Sequence, residues 1–396
     1  MTAIITSAET RQSLCAVRAL GRAKVPVAVC AKKRPALAMW SRFASSTFLT
    51  EDEKDPKSFV EDLVDELRAR YASVILTSRD STWWALSHFR DLLPQSAQRI
   101  LPPHYSVVRS LNHEALYHFA ESLGIACVKL LPIGPDAIET KNFPFSYPVR
   151  IRPRIALNEG DDLAPHNLRL VASSLPALLS LIDSHAWLKN GFLVSDYEAV
   201  RAISYFGVAE KGQVLVEGFQ ERLNEAAPLN EVSTLTETIE PIVAIKRSAV
   251  KLLSALQWQG PFKVDFIKDS GKSYRLVSLI GRLWGSLELS VKAGVNIPLI
   301  TYQQSLGEIS ESLLQNARPR VRLRWLLGDV MSKVAHPRHM LMQAKESVQN
   351  FSPKSLFNWN KRVTEYYDVL DLDDPMPFLF EIQNKTWKRA MGAHSE

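Results

Sequence analysis

The stretch Leu276-Val277-Ser278-Leu279-Ile280-Gly281-Arg282-Leu283-Trp284-Gly285-Ser286-Leu287 reads as an apolar strand that stops at a glycine, presents one arginine and resumes with a tryptophan. Upstream, Phe262 to Ile267 is a second β-type run. The segment Lys268-Asp269-Ser270-Gly271-Lys272-Ser273 between it and Tyr274 to Ile280 has the polar, glycine-containing composition of a hairpin loop. With Asp269 to Lys272 as the loop, Asp265 faces Leu276 and has Tyr274 and Ser278 as diagonal neighbours on one sheet face; a bulge changes that register. The hairpin thus gathers a carboxylate, a hydroxyl and, just past its end, a guanidinium.

Before the hairpin, Pro241 to Gln257 places Ile242, Ile245, Ala249, Leu252, Leu253 and Leu256 along one side of a helix. Phe192 to Asp196, Ala202 to Ala209 and Val214 to Phe219 read as antiparallel strands with Lys211-Gly212 as a turn. Tyr147-Pro148-Val149-Arg150-Ile151-Arg152-Pro153-Arg154 alternates apolar and basic residues, which predicts a strand with three arginines on one face. Asn112 is a candidate N-cap for a helix with Leu116, Phe119 and Leu123 at helical spacing, and Gly124 stops it.

The first third alternates strand and helix: Ala3 to Thr6, Arg11 to Ala23, Val25 to Cys30, Pro56 to Arg70, Ser73 to Thr77, Ser81 to Leu92. Such alternation predicts right-handed βαβ units around a parallel sheet. The first strand is followed by Ser7-Ala8-Glu9-Thr10, so the glycine fingerprint of dinucleotide binding is absent while a Rossmann-like topology stays open. Gly134-Pro135-Asp136 marks a boundary. The expected organisation is 1–135 Rossmann-like, 136–310 in two subdomains, and a C-terminal extension 311–396, an α/β and α+β architecture.

In that extension Arg318, Arg320, Arg322 and Arg324 stripe a strand, a helix is expected from Leu323 to about Val334, and the tail ends in Asp371-Leu372-Asp373-Asp374-Pro375. The stripe reads as a solvated strand edge or an interface, since only Trp325 supplies the aromatic interleaving of a nucleic-acid groove. It is the sole support for a polyanion-binding reading.

Composition narrows the classes. Lys and Arg number 48 against 42 Asp and Glu, an excess of six spread too thinly to make a nucleic-acid binder. Cys15, Cys30 and Cys127 are odd in number and lack CxxC spacing, so neither a disulfide framework nor a zinc site is indicated and a reducing cytoplasm fits best. No apolar run reaches the ~18 residues of a membrane helix, and no GxSxG motif supports serine catalysis. With 16 glycines in 396 residues, a glycine-rich phosphate loop has little material to draw on.

Taken together, the βαβ region, the linker, the antiparallel region with its basic strand and the late hairpin resemble the ATP-grasp superfamily, specifically its carbamoyl-phosphate-synthase-like and carboxylate-amine ligase group. The resemblance spans nearly the whole chain. It implies ATP held between two α+β subdomains, transfer of the γ-phosphoryl group to a carboxylate, and attack of an amine on the acyl phosphate, with Mg²⁺ held by two carboxylates and often an amide.

Residue by residue, the resemblance implies the following. Asn112-His113 stands where the family often has Asp-Lys, and Arg152 stands at the lysine of the basic strand. Leu193-Val194-Ser195-Asp196-Tyr197 matches the adenine hinge, with Val194, Asp196 and Tyr197 as nucleotide contacts. Asp265 takes the first metal carboxylate, while Ser278 and Ile280 fall at the second carboxylate and the amide. Arg282 retains the catalytic, phosphate-facing arginine. Asn224-Glu225-Ala226-Ala227-Pro228-Leu229-Asn230 falls at the loop that usually carries Gly-Gly over the phosphates.

Two functional readings stay open. In the first, the chain binds nucleotide or substrate weakly as a pseudo-ligase or partner subunit, because Mg²⁺ parts with its water reluctantly and lacks one carboxylate here. In the second, it is an active ligase using Asp265 and other groups for Mg²⁺, with Arg152 and Arg282 on the phosphates. The implied partners are a nucleotide, a small carboxylate and an amine, with a homodimer or a biosynthetic partner protein as the assembly and no membrane.

Overall fold

The computed structural model describes residues 1–50, 55–134, 146–153, 170–185, 188, 191–196, 202–227, 230–268, 273–335 and 363–390. The chain opens with a parallel sheet of β1 (Thr2–Ile5), β2 (Val27–Ala31), β3 (Ser46–Leu49) and β4 (Ala72–Leu76) in the order β3-β2-β1-β4. Every residue of β2 is buried, as a strand covered on both faces requires. The intervening helices are α1 (Arg11–Arg22), capped by Thr10, and α2 (Pro56–Ala69), capped by Asp55 with Pro56 in its first turn. After β4 comes α3 (Asp80–His88), with an acid in its own first turn.

A small antiparallel sheet follows: β5 (Leu131–Ile133), β6 (Val149–Pro153), β7 (Leu170–Ala172) and β8 (Phe192–Asp196), ordered β5-β8-β6-β7. The helix Leu175–Ser184 covers one face through Leu178, against Val149, Ile151, Phe192 and Val194.

The central sheet has seven strands: β9 (Ala202–Glu210), β10 (Gln213–Ala227), β11 (Asn230–Thr238), β12 (Gly260–Lys268), β13 (Tyr274–Ile280), β14 (Val321–Arg324) and β15 (Thr364–Tyr367). Their order is β13-β12-β9-β10-β11-β14-β15. Lys211 and Gly212 join β9 to β10 with φ of 47° and 79°, the left-handed pair that matches the twist of a tight hairpin. The helix Val243–Ala255 packs Ile245, Ala249, Leu252 and Leu253 into a core that runs from Phe262 and Val264 through to Ile4 of β1, Leu63 of α2 and Trp83 of α3. The N-terminal unit and the central sheet therefore share one continuous apolar cluster.

Three expectations change. A bulge between Asp265 and Phe266 makes Asp265 the direct partner of Ser278, not of Leu276. The arginine stripe is not an edge: β14 lies between β11 and β15, Arg320, Arg322 and Arg324 meet Glu240, Glu237, Asp329 and Glu365, and Arg318 donates to the Lys292 and Ala293 carbonyls. Last, Leu323 and Arg324 belong to that strand, so the helix begins at Leu326.

The acidic tail is a clasp on α1. Arg18, 1% exposed, donates through Nε to Asp374 at 2.9 Å and through Nη2 to the carbonyl oxygens of Val369 and Asp374. Asp374 also accepts from Ser41 Oγ at 2.6 Å and from the Arg42 amide at 3.0 Å, so a buried charge is met on every side.

Candidate functional site

β12 and β13 bring Asp265 and Ser278 together, and Asp265 stands at the wall of a cavity of about 300 Å³. Because side chains two apart on a strand share a face, Lys263 arrives beside Asp265. Lys263 Nζ donates to Asp265 Oδ1 at 2.7 Å, and Ser204 Oγ from β9 donates to the same oxygen at 2.6 Å. Ser278 Oγ donates to Oδ2 at 2.9 Å, and Arg222 Nη2 from β10 stands 3.9 Å from it. Burial alone would raise this carboxyl; the Lys263 and Arg222 charges and the bonds from Lys263 and Ser204 hold it well below the usual carboxylate range.

These neighbours decide whether the divalent cation implied by the fold fits. Magnesium asks for near-octahedral oxygen ligands. Here both Asp265 oxygens accept hydrogen bonds, two cations stand beside them, Ser278 spends its hydroxyl on Asp265, and Ile280 offers no side-chain oxygen. Among the described residues no group of three or more His, Cys, Asp and Glu is placed to hold a metal. The donor set does not fit a divalent cation.

Arg282 lines the same cavity, but its guanidinium is gripped by α3. Nε and Nη2 donate to Asp80 Oδ1 and Oδ2, each at 2.8 Å, and Nη1 donates to the Leu283 carbonyl. The pair is 7% and 10% exposed, a bidentate bridge between the N-terminal unit and the end of β13. Gly281 before it is required by close approach: an added Cβ would lie 2.1 Å from Trp83 Cζ2 and 2.7 Å from Trp258 Cζ2.

The cavity's far wall comes from parts the sequence left without a role. Arg11 of α1 pairs with Asp368, and its guanidinium carbon lies 3.9 Å over the Trp325 ring. Burial, joined by Glu288 and Glu381, pushes the Asp368 carboxyl up to about 6 although Arg11 opposes the rise. Trp284 is buried in the wall, and its indole Nε1 has no acceptor among the described residues.

The remaining expected residues lie elsewhere. Arg152 sits on β6 opposite Leu193, 2% exposed, and its Nε and Nη1 have no partner among the described residues. Val194 packs with the apolar cluster on the other face, so any contact it makes with a ligand is through backbone. Asp196 ends β8 opposite Val149, and Tyr197 lies outside the described residues, as do Pro228 and Leu229. Asn112 caps the helix His113–Ser122 through a bond from the Ala115 amide at 3.0 Å, a structural role. The structure thus brings Asp265, Ile280 and Arg282 to one cavity, with Ser278 bonded to Asp265 behind its wall, and neither Arg152 nor Val194 is part of it.

Sequence reasoning missed Lys263, Arg222, Arg11, Asp80 and Asp368. Of these, Lys263 carried a readable signal, its place two residues before Asp265 on one strand.

No protein-family model and no curated protein matches the chain. Among solved structures it is similar to N5-carboxyaminoimidazole synthetase from Staphylococcus aureus, at 13% identity over 80% of each chain with a TM-score of 0.59. It is similar also to L-amino acid ligase from Bacillus licheniformis, at 13% identity over 81% of this chain and 78% of that one, TM-score 0.60. A third similar structure is the biotin carboxylase domain of Hydrogenobacter thermophilus 2-oxoglutarate carboxylase in complex with magnesium ADP, ADP and bicarbonate, at 12% identity over 81% of this chain and 73% of that one, TM-score 0.61. At these identities the likeness is one of fold, and with the sheet arrangement above it establishes that this chain has the ATP-grasp fold.

Proposed function

We propose that the protein binds nucleotide and descends from ATP-dependent carboxylate–amine ligases, with weak or no ligase activity of its own. The observation that carries this reading is the Lys263–Asp265 pair in the cavity wall, where ligase chemistry would need oxygen ligands for a cation. Phosphoryl transfer relies on clustered positive charge around the phosphates, and a single engaged carboxylate leaves that machinery incomplete.

Nucleotide binding draws support from the fold, since similar structures are complexes with ADP and with ATP. In this reading the buried Arg152 guanidinium contacts phosphate, and backbone groups of Val194, Asp196 and Tyr197 contact adenine. Arg282, held by Asp80, keeps the end of β13 in place beside the ligand. A small carboxylate and an amine belong to the ancestral reaction, and a homodimer or a biosynthetic partner protein is the assembly expected of a pseudo-ligase.

Thermal unfolding with and without ATP or ADP tests this. Ligand at about 100 times Kd stabilises by about 2.7 kcal/mol, a shift of several degrees for a chain of this class. No shift with either nucleotide sinks the reading. Phosphate release that depends on a carboxylate and an amine, at a rate of about 1 s⁻¹ or more, would establish an active ligase instead.

A further inference from the structure

The cavity that fails to fit a metal is well made for an anion. Its lining carries four cationic side chains, Arg11, Arg222, Lys263 and Arg282, against two carboxylates, Asp265 and Asp368, with Asp80 paired to Arg282 from behind the wall, an excess of one positive charge. Lys263 is 4% exposed, so its ammonium is a fixed charge in a low-dielectric wall, where attraction for an oxyanion is stronger than in water. Trp284, 1% exposed, brings an indole N–H that lacks an acceptor among the described residues, a donor that an oxyanion would satisfy. Thr234 and Ser286 line the same wall, their hydroxyls donating to Asp329 and Gln220.

We infer that Lys263 stands in for the divalent cation and that this cavity binds a phosphate- or carboxylate-bearing ligand directly, without metal. A lysine is a compact point charge with three donors; with Asp265 holding it in place, it offers an anion the charge that Mg²⁺ supplies elsewhere. Asp265 is then a positioning residue for the ammonium, not a ligand. The inference rests on the nucleotide reading only so far as the oxyanion is the phosphate of a nucleotide; a free acid or inorganic phosphate has the same chemistry.

Calorimetric titration of the full chain with ATP, inorganic tripolyphosphate and inorganic phosphate, each in EDTA and in magnesium chloride, separates these. The expected result is binding of at least one probe with affinities that agree within about threefold between the two conditions, and a loss of tenfold or more in Lys263→Met. Lys263→Arg, which keeps the charge, is expected to keep metal-free binding, and it serves if the methionine variant does not fold. Tripolyphosphate or phosphate binding without ATP binding supports the cavity and removes the nucleotide reading. ATP binding that requires magnesium keeps the nucleotide reading and overturns the inference. Failure of all three probes in EDTA overturns it too, as does ATP binding that is lost in Arg152→Ala but untouched in Lys263→Met.

Discussion

Lys263 Nζ lies 2.7 Å from Asp265 Oδ1, two residues along one strand and on one face of it. This arrangement makes the Asp265 carboxylate the anchor of an organic cation. Ser278 adds to it by donating a hydrogen bond to the other carboxylate oxygen, Oδ2. Cations and the carboxylates they pair with line the cavity together.

Arg282 and Asp80 form the bridge between α3 and the central hairpin. Breaking a buried bidentate pair by Asp80→Ala or Arg282→Ala is expected to cost about 3–5 kcal/mol, since each leaves a partly buried charge alone. A double-mutant cycle by urea denaturation should return a coupling of about 1–3 kcal/mol. Arg282→Lys is expected to restore little, because an ammonium cannot make the fork. A coupling near zero would show that the pair has no structural role.

Asp374 collects Arg18, Ser41 and the Arg42 amide, and thereby fastens the C-terminal segment to α1. Asp374→Ala is expected to destabilise by about 3–5 kcal/mol through the uncompensated Arg18. Proteolysis of the native protein should then cut within 363–390 faster than in the wild type. Equal rates would contradict the clasp.

The Asp368 carboxyl, pushed up to about 6 by burial with Glu288 and Glu381 and opposed by Arg11, binds its proton more tightly folded than unfolded, where the ordinary value is about 3.9. Its stabilising contribution is therefore complete below about pH 4 and is lost as pH rises through about 6. Between those limits wild-type stability is expected to fall relative to Asp368→Asn by roughly 3 kcal/mol, read from denaturation at stepped pH. A difference that stays constant across that range would remove this group from the pH dependence.

Gly281→Ala places a methyl group against Trp83 and Trp258, with 2.1 Å to the nearest ring carbon. Overpacking of this kind is expected to cost about 1–3 kcal/mol, with altered tryptophan fluorescence as its signature. An unchanged emission spectrum and unfolding midpoint would mean that the rings have room.

Local pattern made much of this legible. The bounds Phe192–Asp196 and Tyr274–Ile280 follow from composition and alternation, and Asn112 announces its helix, because these signals involve only near neighbours in sequence. The partners of charge were not legible. Asp80 meets Arg282 across 202 residues, and Arg18 meets Asp374 across 356. β14 read as an edge because the strand that covers it, β15, begins 40 residues after Arg324 in a segment of weak pattern. The pairing of Asp265 with Lys263 depended on the ammonium reaching back along the face it shares with the carboxylate.

Crystals grown with ATP and soaked in manganese, with anomalous difference density measured at the Asp265 carboxylate, test the central claim most directly, since manganese is a hard cation that takes the oxygen sites of magnesium. Lys263 in the cation's place predicts no manganese peak within coordination distance of Asp265, with the ammonium still on Oδ1. A manganese peak bound by Asp265, with Lys263 displaced from it, would contradict that claim.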